Sequence, residues 1–121
     1  MNNRSEDKLQ TECVAYFKYQ YGNHLIMSFP AGYVFSGSDE KRAVTGSRMK
    51  AMGYLVGTPD LLIPVARNGY HGLFIELKSG KNRLTQSQII VIGCLTQEGY
   101  QCEVCRSIEE FMRVTVKYFN N

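Results

Sequence analysis

The segment from Gly57 to Lys78 limits most sharply what this 121-residue chain can fold into. It reads Gly57-Thr58-Pro59-Asp60, then the apolar run Leu61-Leu62-Ile63-Pro64-Val65. The turn signal Arg67-Asn68-Gly69-Tyr70 follows, and then Leu73-Phe74-Ile75-Glu76-Leu77-Lys78. The two apolar runs have the length and branching of strands, and Asn-Gly between them signals a hairpin. Yet Asp60 opens the first run, and Glu76 and Lys78 lie inside the second. Charge in a sheet interior is costly unless it is paired or holds something. Strand side chains alternate, so Phe74, Glu76 and Lys78 share one face and Leu73, Ile75 and Leu77 the other. A strict two-residue turn at Asn68-Gly69 would set Asp60 opposite Leu77 and send the two acids to different faces. The pattern therefore predicts a bulge, or a loop longer than two residues, that shifts the register by one.

The rest of the chain reads as elements around this hairpin. Residues 6–20 carry Leu9, Cys13, Tyr16, Phe17 and Gln20 on one stripe at helical spacing, with Ser5 as N-cap. Residues 25–29 form a short strand stopped by Pro30, and residues 30–38 a loop. Tyr33 and Phe35 in that loop either pack beneath it or stack on a base. A second helix over 39–52 is capped by Ser38, ended by Gly53, and turns Ala43, Met49 and Met52 inward. Thr85 caps a helix running to about Glu98, with Gln88 completing a capping box and Ile89 and Ile92 inward. Gln88 also shares a face with Val91, Ile92 and Leu95, so it looks inward near the sheet edge. Residues 100–105 form a last strand. Ser107 caps a final helix through about Tyr118, with Ile108, Phe111, Met112 and Thr115 as its apolar side. The order is α-β-α-β-β-α-β-α. A helix between the Glu76 strand and the last strand implies a parallel, right-handed crossover. The expectation is one α/β domain over residues 1–121, a mixed β-sheet flanked by helices.

Charge placement says more than charge sum. The net charge is only +3. Lys41, Arg42, Arg48 and Lys50 cluster before the hairpin, and Lys78, Lys81 and Arg83 follow it. Each group reads either as a solvated face or as a phosphate-binding surface. No apolar run approaches the roughly 20 residues of a membrane span, and the polar N-terminus has no secretory h-region. A cytoplasmic location is the expectation. The cysteines are Cys13, Cys94, Cys102 and Cys105. The Cys102/Cys105 spacing resembles half a zinc site, but no second pair completes it, and on a strand the two thiols would face opposite ways. Core packing is the better account.

Two carboxylates on neighbouring strands make a hard-oxygen site suited to Mg²⁺ or Mn²⁺. Asp60 and Glu76 would be the ligands, with the Leu77 carbonyl as the nearest backbone donor. Lys78 beside them can orient or deprotonate a water and stabilise charge on a phosphoryl transition state. The competing reading is a cross-strand ion pair. Glu12, at the edge of the first helix's buried stripe, is either a surface acid or an acid aimed at this site.

At this point the residues match a family. Pro59-Asp60 followed by Glu76-Leu77-Lys78 resembles the PD-(D/E)xK nuclease superfamily, with its restriction-endonuclease-like core. Gly57-Thr58-Pro59-Asp60-Leu61, Gly72 to Ser79, Leu84-Thr85-Gln86-Ser87-Gln88 and Gly99-Tyr100 narrow the resemblance to the VRR-NUC (virus-type replication-repair nuclease) family. The resemblance implies Glu12, Asp60 and Glu76 as metal acids. It implies Lys78 as the catalytic lysine and Gln88 as the site-lining helix residue. Lys41, Arg42, Arg48, Lys50, Lys81 and Arg83 would then hold DNA. It further implies a Mg²⁺- or Mn²⁺-dependent, structure-selective DNA endonuclease of phage or prophage kind, acting in the bacterial cytoplasm. The substrate would be four-way (Holliday) junctions, cut by a homodimer, because symmetric incision needs two sites. The alternatives are a flap or single-strand-junction nuclease, and a non-catalytic nucleic-acid-binding module of the same fold.

Overall fold

A computed structural model of the chain describes residues 3–29 and 38–120. Its elements are α1 (Asn3–Gln20), β1 (Met27–Ser28), α2 (Asp39–Ala51), β2 (Leu61–Ile63), β3 (Leu73–Leu77), α3 (Gln86–Gln97), β4 (Gln101–Cys105) and α4 (Ile108–Asn120). This is the order expected from the sequence, with shorter strands. The four strands form one sheet in the order β1-β2-β3-β4. The first two pairings are antiparallel, and β3 pairs parallel with β4 across the α3 connection.

One face of the sheet carries the core. Leu61 and Ile63 of β2, Leu73, Ile75 and Leu77 of β3, and Cys105 of β4 pack with Cys13 and Phe17 of α1 and Phe111 and Tyr118 of α4. Burial of such side chains stabilises by roughly 1.5–3 kcal/mol each. Tyr118 also ties the hairpin down. Its hydroxyl donates to the Val65 carbonyl at 2.6 Å, and the Asn68 side-chain amide donates to the Tyr118 carbonyl at 3.0 Å. Cys13 and Cys105 lie fully buried in this core, and burial pushes both thiols up to about 12. Cys102 faces the other way, its sulfur 4.0 Å from the Ile92 carbonyl of α3, so Cys102 and Cys105 share no site.

The hairpin resolves the register question. Asn68 and Gly69 both have positive φ, 56° and 83°, and Arg67 bridges Tyr70, as a two-residue turn requires. Further along, however, Ile63 pairs with Leu73 and Leu61 with Ile75. Residues 64–66 thus face only residues 71–72, and β2 carries one extra residue. It is absorbed at Pro64, which has no N–H to donate, and the Val65 N–H folds back onto the Ile63 carbonyl at 2.9 Å. Continued by one step, this register sets Asp60 opposite Glu76 on the non-core face.

Several finer expectations are corrected. Ser5 is not the N-cap of α1, which already begins at Asn3. α2 is capped by Ser38 and followed by Gly53 at φ 108°, as expected, but it buries no residue. Ala43 is exposed, Met52 is 76% exposed, and only Met49 is half-buried. These apolar positions do not gather into a stripe wide enough to dock the helix. On α3, Val91 is buried while Ile89 is exposed, and Met112 of α4 lies at the edge of its buried face. Tyr33 and Phe35 lie outside the described residues. Among the described residues no helix is long and apolar enough to cross a membrane.

Candidate active site

Each acid on the non-core face is positioned by a different local device. Asp60 follows the buried Pro59 and the loop at Gly57. Gly57 has φ 99°, and a Cβ there would lie 2.5 Å from the Ser87 carbonyl oxygen. Only glycine allows the loop to press this closely on the first turn of α3. One oxygen of Asp60, Oδ2, accepts from the Leu77 N–H at 2.8 Å, where β3 runs past the end of β2. The Asp60 backbone carbonyl accepts from the Phe29 N–H at 3.0 Å. Both bonds fix the carboxylate beside β3.

Glu76 stands in the middle of the sheet and is only 3% exposed. Its Oε2 accepts from the Gln88 side-chain amide at 3.0 Å and lies 3.6 Å from the Lys78 ammonium. Its Oε1 is buried without a hydrogen-bond partner. Burial pushes the Glu76 carboxyl up to about 8, the Asp60 charge adds to this, and Lys78 opposes it. Asp60 is raised as well, by burial first, while the Leu77 N–H works against the shift. Two acids therefore sit together with one nearby cation, Lys78, itself 4% exposed.

Gln88 makes two sets of contacts. Its side-chain oxygen accepts from the Thr85 N–H at 2.9 Å, and Thr85 Oγ1 accepts from the Gln88 N–H at 3.2 Å, completing the capping box. The same side chain turns its amide to Glu76. The N-terminus of α3 is thereby joined directly to the acid of β3.

The first-helix acid is where the structure departs from the expected set. Glu12 is exposed. Glu6, one and two-thirds turns earlier, is the acid at the site: its Oε2 accepts from the Ser79 N–H at 3.2 Å and the Ser79 hydroxyl at 3.3 Å. Its charge raises both Asp60 and Glu76. Six residues along a helix turn the side chain by about 240°, so Glu6 and Glu12 cannot serve the same point. Glu6 lies in the first turn, at the end of α1 that meets the basic loop, a meeting that helical spacing does not reveal.

The basic residues divide into two groups. Lys81 and Arg83 lie on the loop after β3, where Lys78, Ser79, Asn82, Arg83 and Thr85 border a hollow of about 500 Å³ continuous with Lys78. That loop is braced by Arg106, which sequence reasoning missed. Its guanidinium donates to the Gly80 carbonyl at 3.1 Å and the Asn82 carbonyl at 2.7 Å. Nothing in the spacing of a single arginine after the last strand marks it. Lys41, Arg42, Arg48 and Lys50 are exposed along α2, and Arg42 pairs with Asp39.

The donor set fits a hard divalent cation. The orphaned Oε1 of Glu76 is the kind of buried atom that a cation would satisfy. Among the described residues no three His, Cys, Asp or Glu side chains converge into a full cage. Two carboxylates are what Mg²⁺ commonly takes, with waters and substrate oxygens completing its shell.

A family model described as the VRR-NUC domain matches residues 5–109. The chain belongs to the VRR-NUC family. This is a nuclease domain family, of a kind that generally uses a divalent metal and acts on DNA. A solved structure described as a VRR_NUC domain protein is similar at 30% identity and a TM-score of 0.77, over 95% of this chain and 88% of that one. No curated protein matches the chain. The VRR-NUC resemblance and the mixed α/β nuclease fold read from the sequence both hold.

Proposed function

We propose that this VRR-NUC domain is a Mg²⁺- or Mn²⁺-dependent endonuclease that hydrolyses phosphodiester bonds in branched DNA, four-way junctions foremost, as a homodimer. The observation that carries the catalytic part is the pairing of Asp60 with Glu76 around the unpartnered Glu76 Oε1, with Lys78 alongside. The free oxygen of Asp60, Glu76 Oε1 and the Leu77 carbonyl would hold the metal, and Glu6 would replace Glu12 as the helix acid near it. When bound, the metal supplies Lewis-acid stabilisation of the phosphoryl oxygens and lowers the pKa of a water.

The chain's own groups do the rest. Gln88 and the Leu77 N–H hold the two carboxylates in fixed orientations, so little reorganisation is needed when substrate arrives. Lys78 is buried beside Glu76 and aimed along the same face. It orients the attacking water and balances charge that grows on the phosphate oxygens. Lys81 and Arg83 border the hollow into which the strand would lead. Arg48 and Lys50 extend the cationic surface along α2.

The homodimer follows from the substrate, since two symmetric incisions need two sites. The test is a panel of four-way junction, flap and linear duplex, with Mg²⁺, Mn²⁺ or EDTA. Metal-dependent cleavage with a preference for the junction is expected. Lys78→Ala should remove cleavage while leaving the fold intact, and wild-type-like cleavage by that variant would overturn the catalytic reading. Equal cleavage of the linear duplex would overturn the branched-DNA reading alone.

A further inference from the structure

A second feature adjoins the acidic site and is not used by the chemistry above. Phe29, Met49, Met52, Tyr54, Leu55 and Thr58 line an open, predominantly apolar groove of about 470 Å³. Its position is fixed by the same contacts that place Asp60. The Phe29 N–H donates to the Asp60 carbonyl, and Thr58 lies two residues before Asp60, its hydroxyl donating to the Leu55 carbonyl at 2.8 Å. The Phe29 ring lies near-parallel to Phe74 at 6.3 Å, and Phe74 shares its face with Glu76 and Lys78. The groove therefore opens off the segments that carry and brace Asp60.

The groove's chemistry narrows the occupant. It has no charged lining residue, and Met52 and Leu55 are left 76% and 55% exposed. Aromatic rings and thioethers offer polarisable flat contacts that accept any base without reading its edge. Arg48 and Lys50 lie in the last turn of α2, the helix that supplies Met49 to the groove, so its end carries positive charge. The volume suits one or two planar rings and is too small for a packed helix. A base stacked in a duplex cannot reach such a groove, whereas one at a branch or in a single strand is unstacked at little cost.

We propose that this groove takes an unstacked nucleobase from the strand next to the scissile phosphate, and so favours branch points, where bases unstack readily, over continuous duplex. The inference rests on the nuclease reading, and it deepens that reading by naming what the site recognises besides phosphate. It also gives α2 a reason to leave its methionines uncovered: Met49 and Met52 form a wall of the groove.

The experiment measures binding in EDTA, so that cleavage does not enter. Fluorescence anisotropy is read on branched DNA carrying, in turn, a normal base, 2-aminopurine or an abasic residue at each nucleotide beside the branch. At one position the abasic residue should weaken wild-type binding roughly tenfold. At that same position 2-aminopurine emission should change on binding. In Met49→Ala/Met52→Ala, checked for folding by its melting transition, the abasic penalty should fall below about twofold. Equal abasic penalties in the two proteins, or none at any position in the wild type, would overturn the proposal. A change of oligomeric state in the variant by sedimentation, with the abasic penalty retained, would also overturn it and assign the groove to a second copy. Failure to cleave any DNA would overturn the nuclease reading instead, and the binding measurement would still report on the groove.

Discussion

Glu76→Gln separates a metal site from a structural ion pair by the sign of its effect. The Glu76 carboxyl is raised from its ordinary 4.5 to about 8, chiefly by burial and then by Asp60. Between those two values the folded chain keeps a proton that the unfolded chain has released. Stability without metal is therefore full below about pH 4.5 and falls as the pH rises through about 8. At roughly 1.4 kcal/mol per unit, the need to keep that proton opposes folding by on the order of 3 kcal/mol at pH 7. Glutamine keeps the shape and can still accept from Gln88, but it carries no charge. It also weakens the nearest contact of Lys78, which offsets about half of the gain at the scale of a hydrogen bond to a charged group, ~1.5 kcal/mol. Asp60 remains to balance Lys78, so the gain wins.

The expected result is a variant more stable than wild type by about 1–2 kcal/mol in EDTA near pH 7–8, or several degrees in melting temperature. The advantage should shrink towards pH 5. Added Mg²⁺ or Mn²⁺ should stabilise the wild type and not the variant, and DNA cleavage by the variant should fall by at least about 10³. The assay is thermal and urea unfolding at several pH values, with and without metal. If Glu76 and Lys78 were a structural pair, removing one partner would destabilise by roughly 3–5 kcal/mol. A variant less stable than wild type in EDTA at pH 8 would refute the reasoning.

Other outcomes follow from the same geometry. Glu6→Gln should weaken Mn²⁺ binding measured by calorimetry and lower cleavage roughly 10–100-fold, because its charge reaches Asp60 and Glu76; Glu12→Gln should leave both near wild type, and the reverse pattern would restore Glu12 to the site. Gly57→Ala places a Cβ 2.5 Å from the Ser87 carbonyl at a φ of 99°. It should cost about 1–3 kcal/mol and reduce cleavage further by parting Asp60 from Gln88; an unchanged melting temperature would show that the loop is not pressed on α3. Arg106→Ala should raise the KM for DNA several-fold with kcat little changed, by loosening the loop that carries Lys81 and Arg83. A matching loss in kcat would place Arg106 in the chemistry.

The legible part of this protein is its hairpin. Charge parity in residues 73–78, set against the Asn-Gly turn, was enough to demand an extra residue in the register. The structure supplies it at Pro64 and Val65. Gln88 was legible because two independent patterns, a capping box and an inward face, converged on one residue. Glu6 was not, because a helix's apolar stripe says which side faces the core and nothing about which end meets a loop from another strand. Arg106 was invisible for a related reason: its partners are backbone carbonyls, which leave no trace in residue type. The inward face expected of α2 failed because propensity and caps make a helix without a docking surface.

The way the acids are held bears on what they are for. Asp60 is fixed by the Leu77 N–H, Glu6 by the Ser79 N–H and hydroxyl, and Glu76 by the Gln88 amide. Those donors are neutral. They set the direction of each carboxylate without cancelling its charge, and Lys78 is the cation beside Glu76, at 3.6 Å. A protein that buried these acids for stability would surround them with arginine or lysine, because an uncompensated charge in the interior is the costly outcome. Neutral donors instead leave negative charge here uncompensated, as the raised Asp60 and Glu76 carboxyls record, in a pocket of fixed shape. Such a pocket is unfavourable until a cation enters and favourable afterwards. The fold therefore accepts a cost in the metal-free state at the place where binding returns it, and the pH dependence of Glu76→Gln measures that cost directly.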